Sequence, residues 1–387
     1  MEIFGYPRQD GSFGIRNHLA VMAVSACASE TTRKIANLVH GAVALTHQHG
    51  CCEIGEDLRL SVDTLIGLGR NPNVGAVLVL ALGCEGIRAD EVAQAIEKSG
   101  KPVAVLVIQE HGGTLKTEQE GLRIASMMAR DLSGQRRTPF PAGEIILGLE
   151  CGGSDPTSGL AANPVIGECS NLIIANGGSG VLSETTEMIG AEHLLARRAV
   201  TKEVGDRFLK MVRNMENRAI EMGYDLRGTQ PTPGNIAGGI TTIEEKSLGC
   251  IYKSGSAPLQ GVVDYACEIP RQPKGLYYMD TPGEDICSVT GMVAGGSQII
   301  VFSTGLGTPT GHPIAPVIQL TGNNGTYHKM LDNIDFNAGT ILTQGESVAA
   351  KGRELFEMIM EVCSGKLTKA ESLGHREFGL YRIGHTF

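Results

Sequence analysis

The chain has no tryptophan and few other aromatic residues, with 8 tyrosines and 9 phenylalanines in 387 positions. That scarcity argues against a β-sandwich core and against the aromatic-basic interleaving that stacks and tracks nucleic acid. The formal charge of -9 is spread along the chain without a basic stripe, so no nucleic-acid partner is expected. No apolar run approaches the roughly 20 residues a membrane span needs, so no membrane partner is expected. The opening "MEIFGYPRQDGS" has neither an apolar core nor a cleavage signature, and a cytoplasmic protein is expected. CxxC pairs are missing, which disfavours a zinc knuckle. No GxxxxGK[ST] occurs, and "GLGTPTGH" misses the dinucleotide spacing, leaving nucleotide binding without a motif.

What is present is 42 % apolar residues with 52 glycines, the Val/Ala/Gly-rich texture of α/β enzymes, in a chain long enough for two domains. The ten cysteines read as reduced thiols and not as a disulfide framework. Cys250, Cys267 and Cys363 sit in ordinary mixed surroundings and read as core or surface residues.

The first third alternates regularly. Strands are expected at 18–26, 41–46, 74–83 and in "KPVAVLVIQ", and helices at 29–40 (capped by Ser29), 58–69 and 115–132. Continuous Val/Leu/Ala runs separated by amphipathic helices predict a parallel sheet covered on both faces. The polar "SGQRRTPFPAGE" reads as a linker, giving an N-terminal α/β domain over 1–135 and a C-terminal one over 144–387. In the latter, strands are expected in "EIILGLECGG", "NLIIANGG", "QIIVFSTGLG" and "APVIQLTGN", and helices over 158–168 and 189–222. From 223 to 276 the text turns Gly/Pro/Ser/Thr-rich, which predicts a functional segment or lid without regular structure.

Ligands of open α/β sheets bind past the carboxyl ends of strands. Here those ends read "VSACAS", "LTHQHGCCE", "LALGCEG" and "LGLECGGSD", each delivering thiols: Cys27, Cys51 with Cys52, Cys84 and Cys151. An extended backbone through 47–51 would put His47, His49 and Cys51 on one side. Imidazole and thiolate suit Fe(II) or Zn(II), with Glu85 and Asp155 as further ligands or orienting groups. The glycines and hydroxyls of "CGGSDPTSG" and "NGGSGVLSETTEMIG" precede helix starts and read either as anion-holding N–H groups or as plain tight turns.

Together "GYPRQDGSFGIRNH", "LTHQHGCC", "NPNVGAVLVLALGCE", "CGGSDPTSGLAANPVIG", "LSETTEMIGAEHLLARRA", "PTPGNIAGGITTIEEKSLG", "MDTPGEDICSVTGMVAGG" and "FSTGLGTPTG" with "DNIDFNAG" resemble, in order, the altronate/galactarate dehydratase family, which includes the large subunit of sulfolactate sulfo-lyase. The resemblance implies a lyase that eliminates water, or sulfite in one branch, from a hydroxy-acid to give a 2-oxo acid. It also implies a divalent metal, usually Fe2+ with Mn2+ or another ion possible, a dimer-forming first domain and a Rossmann-like second one with a mainly parallel sheet. Sugar-acid members carry a small β-clip domain ahead of the motif at which this chain starts, so a separate small subunit, or none, is expected, in a homodimer or higher oligomer.

Three basic positions of the family pattern are neutral here: Leu306 in Ser303–Gly307, Ile236 after Gly234–Asn235, and Gln319. Cations near an active site hold carboxylates, so a substrate with fewer or differently placed anionic groups than a hexarate is expected. The metal ligands expected are His47, Cys51, Cys84 and Cys151, with His49 and Cys27 further out. Acid/base groups are Lys246, Glu184 and His193. Substrate-holding groups are Arg16, Asn17, Ser154, Asn235 and Thr304. The alternatives are an iron-sulfur cluster dehydratase, with three thiolates among Cys27, Cys51, Cys84 and Cys151, and a non-catalytic small-molecule-binding subunit.

Overall fold

The computed structural model describes residues 2–385. Two wholly parallel sheets organise the chain, as the continuous apolar runs predict. The first has four strands in the order Ala42–Leu45, His18–Ala23, Val74–Ala81, Val103–Val107. Every residue of Val74–Ala81 is buried, the mark of a central strand covered on both faces. The second has seven, in the order Leu259–Val263, Leu276–Met279, Ser179–Leu182, Ile146–Cys151, Ile299–Ser303, Val317–Thr321, Phe336–Asn337. Strand order reverses between Ile146–Cys151 and Ile299–Ser303, which opens a crevice beyond their carboxyl ends.

Thr138–Pro141, inside the stretch read as linker, is a strand. It pairs antiparallel with Glu2–Pro7, which also pairs with Phe13–Gly14. Arg137 ties this ribbon down by donating to the carbonyls of Phe4, Ile15 and Cys363 at 2.8, 2.9 and 3.2 Å.

The two sheets share packing. Helix Gly55–Arg70 lies on helix Asp285–Ala294 so closely that a Cβ on Gly67 would fall 2.4 Å from the Ala294 carbonyl oxygen. Asn71 Nδ2 donates to the carbonyls of Val293 and Ser297, and Asn73 Nδ2 to those of Gln298 and Ile314, all at 2.7–2.9 Å. Apolar side chains on both sides, Met22, Val77 and Val79 with Met279, Val289 and Phe302, form one continuous core. Burying each such side chain contributes about 1.5–3 kcal/mol, so the two units are joined by packing as well as by chain.

Four local expectations are corrected. Ser29 does not cap its helix: it is the first residue of Ser29–Leu38, and its hydroxyl donates to His47 O at 3.1 Å. "NLIIANGG" is mostly the end of helix Asn163–Ala175, and the strand comes after it at Ser179–Leu182. The long helix breaks into Glu192–Ala196 and Lys202–Glu221, because the Thr201 hydroxyl accepts from Val204 N and starts a new helix. Residues 223–276 are largely ordered, with helices Leu226–Thr229, Pro233–Ala237 and Ile243–Ile251 and strand Leu259–Val263. Such short helices carry too few turns to print a period on the sequence.

Candidate active site

Cys151 ends a central strand of the second sheet, beside the point where strand order reverses. Gly152 follows, and a Cβ there would lie 2.1 Å from Asp285 Oδ2, so any larger residue would push that carboxylate aside. The turn after Leu182 brings in Glu184, which takes the left-handed conformation (φ 63°, ψ 77°) that is costly for a residue with a side chain. Its amide donates to Thr281 Oγ1 at 2.7 Å. Glu187 lies three residues on. The third contribution is helix Ile243–Ile251 with the turn after it, where Lys246, Cys250 and Lys253 recur at i, i+4 and i+7 on one face. Asp285 opens helix Asp285–Ala294, and Glu150 lies on the strand beside Cys151.

These groups touch. Lys253 Nζ, fully buried, lies 2.8 Å from Cys151 Sγ, 3.0 Å from Glu187 Oε2 and 3.4 Å from Glu184 Oε2. Cys151 Sγ is 3.5 Å from Cys250 Sγ and 3.1 Å from Glu187 Oε2. Lys246 Nζ reaches Glu187 Oε1 at 3.3 Å. Glu150 accepts from Ser288 Oγ at 2.7 Å and Ser183 Oγ at 3.2 Å.

Burial sets the protonation pattern. It pushes the Cys151 thiol well up, so Lys253 meets a neutral sulfur and its charge partner is Glu187. Although burial opposes it, the ammoniums of Lys253 and Lys246 hold Glu187 well below the usual carboxylate range. Both lysines stay above their ordinary value despite desolvation, because the Glu187 carboxylate faces both. Burial and the neighbouring Glu150 and Glu187 push Glu184 far up, making it the carboxyl that keeps a proton. Burial, then Glu150 and Glu187, lift Asp285 to about 7. A partly exposed acid near neutrality is suited to give or take a proton.

Two donor sets could hold an ion: Cys151, Glu187 and Cys250, and Glu150, Glu184 and Asp285, each with its donor atoms within 4.8 Å of one another. The first already contains a cation, the Lys253 ammonium. The second is all oxygen, and its three carboxyls are all raised by burial. Four carboxylates here face two ammoniums, leaving two negative charges in excess that protons or one divalent cation would balance. The chemistry of the second set therefore fits a hard divalent ion such as Mn2+, which the resemblance allows, better than the Fe2+ expected at an imidazole-thiolate site.

Of the residues singled out from sequence, the structure brings Lys246, Glu184, Cys151 and Ser154 together. The Ser154 hydroxyl is 3.8 Å from Cys151 Sγ, and its carbonyl accepts from Asn235 Nδ2 at 3.0 Å. Thr304 caps the next strand end, accepting from Gly307 N at 2.9 Å. A cavity of about 220 Å³ borders this group, lined by Ser154, Lys246, Leu248, Cys250 and Tyr252. A larger one of about 510 Å³ lies at the amino end of Ile146–Cys151, beside Arg70 and Arg271, and holds none of this chemistry.

The other expected residues lie elsewhere. His47 is not free to bind a metal: Nε2 pairs with Ala23 O at 2.9 Å and Nδ1 accepts from His49 N at 3.2 Å. The backbone does not run extended through 47–51, since Gly50 turns at φ 98°. Cys51, Cys84 and Cys27 lie exposed at the ends of the first sheet. His193 is exposed on its short helix. Arg16 is spent on Glu371, at 2.7 and 2.8 Å, and on the carbonyls of Ile15, Val362 and Lys366. Asn17 bridges Arg8 and Leu132 O. Reading by type missed Cys250, Lys253, Glu187, Glu150 and Asp285. The signal for the first two was the i, i+4, i+7 spacing from Lys246.

A parallel sheet with a buried cluster of acids, thiols and ammoniums at its switch point is the arrangement of an α/β enzyme. Residues 142–386 match the family described as D-galactarate/altronate dehydratase, C-terminal, and residues 5–133 the family described as D-galactarate dehydratase/altronate hydrolase, second domain. The chain belongs to the galactarate/altronate dehydratase family and is a carbon-oxygen or carbon-sulfur lyase of hydroxy-acids. It is 39 % identical to the (2R)-sulfolactate sulfo-lyase subunit beta of Chromohalobacter salexigens over 98 % of this chain and 97 % of that protein. It is 33 % identical to the altronate dehydratase of Bacillus subtilis, covering 99 % of this chain and 78 % of the relative. With the galactarate dehydratase (L-threo-forming) of Escherichia coli the identity is 34 %, over 94 % and 72 %.

Proposed function

We propose that the chain is the catalytic subunit of a metal-dependent lyase that eliminates sulfite, or in a second reading water, from a short 2-hydroxy acid of the sulfolactate type. The observation that carries the substrate class is the neutral rim. Leu306 and Ile236 are both exposed, and Leu306 Cδ1 lies 3.8 Å from where a Cβ on Gly234 would be, so two family-basic positions present hydrocarbon on neighbouring loops. A six-carbon diacid would meet no cation there, whereas a three-carbon acid is held deeper, at Lys246 and the N–H groups after Cys151. The near-full coverage of the sulfo-lyase subunit supports the same class. That relative is named as a subunit, so a small second chain of β-clip type completes the assembly in this reading.

The reaction needs the C2 proton removed beside a carboxylate and the enolate charge held. Asp285, at about 7, takes the proton as its carboxylate. Lys246 and Lys253 stay protonated, and Lys246, facing the cavity, holds the substrate carboxylate and the charge that grows on it. The C3–S bond electrons leave with sulfite, and the enol left behind takes a proton at C3 while its hydroxyl gives one up to solvent, which leaves the 2-oxo acid. Water as leaving group would need a proton at that oxygen, which Glu184 carries. A divalent ion drawn to this acid group, with Glu150 as the carboxylate not asked to move a proton, would supply Lewis-acid stabilisation of the substrate carboxylate and hydroxyl.

The test is turnover by anaerobically purified, iron-loaded protein, with and without a β-clip partner, on (2R)-sulfolactate, altronate and galactarate. Stoichiometric sulfite and 2-oxo acid from sulfolactate alone is the expected result. Galactarate turnover at an ordinary enzymatic rate, with none on sulfolactate, would overturn the substrate assignment.

A further inference from the structure

The first sheet also has a switch point. Its order, Ala42–Leu45, His18–Ala23, Val74–Ala81, Val103–Val107, reverses between the second and third of these strands. The loops beyond three adjacent carboxyl ends meet there, and each carries thiols: Cys27, then Cys51 with Cys52, then Cys84.

The loops are locked to one another. Ala26 N donates to His49 O at 2.8 Å and Gly86 N to Gly50 O at 3.1 Å. Gly50 lies so close beneath the first loop that a Cβ would fall 2.2 Å from Val24 O. Polar side chains around this junction are spent on the loops themselves. Glu85 accepts from the N–H groups of Leu82, Gly83 and Cys84 at 2.8–3.0 Å. Glu53 accepts from Gly50 N and Ser61 Oγ at 3.0 and 2.9 Å, and His47 holds Ala23 O. What the three loops turn to solvent is sulfur: all four thiols are exposed.

Cys51 Sγ is 3.7 Å from Cys52 Sγ. A bound metal deprotonates such thiols outright. One tetrahedral ion with Zn–S or Fe–S bonds of about 2.3 Å needs its sulfurs under about 4 Å apart. Among the described residues, no three of these sulfurs lie within 4.8 Å of one another. Thiolates too far apart for one ion can each hold one iron of a cluster.

We propose that Cys27, Cys51 and Cys84, one from each of three adjacent strand ends, hold an iron-sulfur cluster at the switch point of the first sheet, with Cys52 alongside as a fourth thiol. This site is separate from the acid/thiol group of the second sheet and does not rest on the lyase reading.

The experiment is anaerobic reconstitution of the full chain with ferrous iron and sulfide, followed by iron, acid-labile sulfide, visible absorption and maleimide labelling of thiols. The expected result is bound iron and sulfide in near-equal amounts, visible charge-transfer absorption, and protection of the Cys27, Cys51 and Cys84 peptides that a chelator reverses. Cys27→Ala, Cys51→Ala and Cys84→Ala should each lose sulfide and colour while keeping the wild-type circular dichroism, and Cys267→Ala, an exposed thiol elsewhere, should lose neither. Iron without sulfide, or colour that survives the triple variant, would overturn the proposal. Should the variants misfold, unprotected thiols in reconstituted wild-type protein would overturn it equally.

Discussion

Lys253 Nζ donates to Cys151 Sγ at 2.8 Å with no solvent on either side, 102 residues apart in sequence. The ammonium also faces Glu187 and Glu184, so it is the cation around which the buried group is arranged. Lys253→Met removes the charge and leaves Glu187 with Lys246 alone. Unpairing a buried charge costs about 3–5 kcal/mol, so a melting temperature well below wild type is expected. A kcat at least about 100-fold lower in whatever variant protein remains folded is also expected, as for loss of an electrostatic group at developing charge. Wild-type kcat in the folded fraction would reduce Lys253 to a structural role.

Asp285 governs the pH response. As a base it works deprotonated, so kcat/KM should rise with pH through about 7, the value to which burial and then Glu150 lift it. Asp285→Asn should remove that limb and lower the rate by about 10²–10⁴. Linkage has the opposite sense. The folded state binds this proton more tightly than the unfolded chain, so the stabilisation is complete below the ordinary value of 3.8 and is lost as pH rises through about 7. The metal-free protein should therefore melt lower as pH climbs across that window, and Asp285→Asn should flatten the slope. A pH profile identical in the variant would remove Asp285 from the chemistry.

If a divalent ion binds at Glu150 with Glu184 and Asp285 beside it, binding must expel protons that burial keeps on this acid group. Titrating Mn(II) into stripped protein at about pH 6 should release roughly one to two protons per ion. Glu150→Gln should weaken binding and release fewer. Unchanged affinity in that variant would place the ion elsewhere.

The sheets were legible because short continuous apolar runs such as Val74–Ala81, rich in Val and bounded by turns, read as strands covered on both faces. Cys151 was legible because a strand end at a switch point is where ligands bind. Its partners were not. Cys250 and Lys253 share a face with Lys246 only where a short helix runs on into the turn after it, so their i, i+4, i+7 spacing is a weak signal, and Asp285 approaches Gly152 where a side chain would meet it. Contacts across more than a hundred residues leave no local pattern. Residue type misled at His47 and Arg16: both suit a site, yet the backbone carbonyls of Ala23, Val362 and Lys366 claim them.

Arg16 gives a direct test of that reassignment. Its bidentate pair with Glu371 and its carbonyl contacts tie the chain's start to its last helices. Arg16→Met should destabilise by about 3–5 kcal/mol, as for a broken buried pair, and leave KM unchanged in folded protein. A raised KM with an unchanged melting temperature would instead restore the substrate-holding role that its motif suggests.

Specificity should be movable at the rim. Leu306 and Ile236 are exposed on neighbouring loops, so Leu306→Arg with Ile236→Lys adds two cations without burying either. A hydrogen bond from a charged group contributes about 1.5–3 kcal/mol, enough for a ten- to hundredfold change per productive contact. The ratio of kcat/KM for galactarate over sulfolactate should rise by at least that factor in the double variant. Loss of sulfolactate turnover without any gain on galactarate would mean the cations block the mouth. A ratio that does not move would mean the rim is not where the substrate's far end lies. Gln319 offers the internal control: it is buried, and its side chain donates to Thr310 O at 2.7 Å. Gln319→Lys should therefore disturb the fold without shifting the ratio, separating a charge at the mouth from a charge in the core.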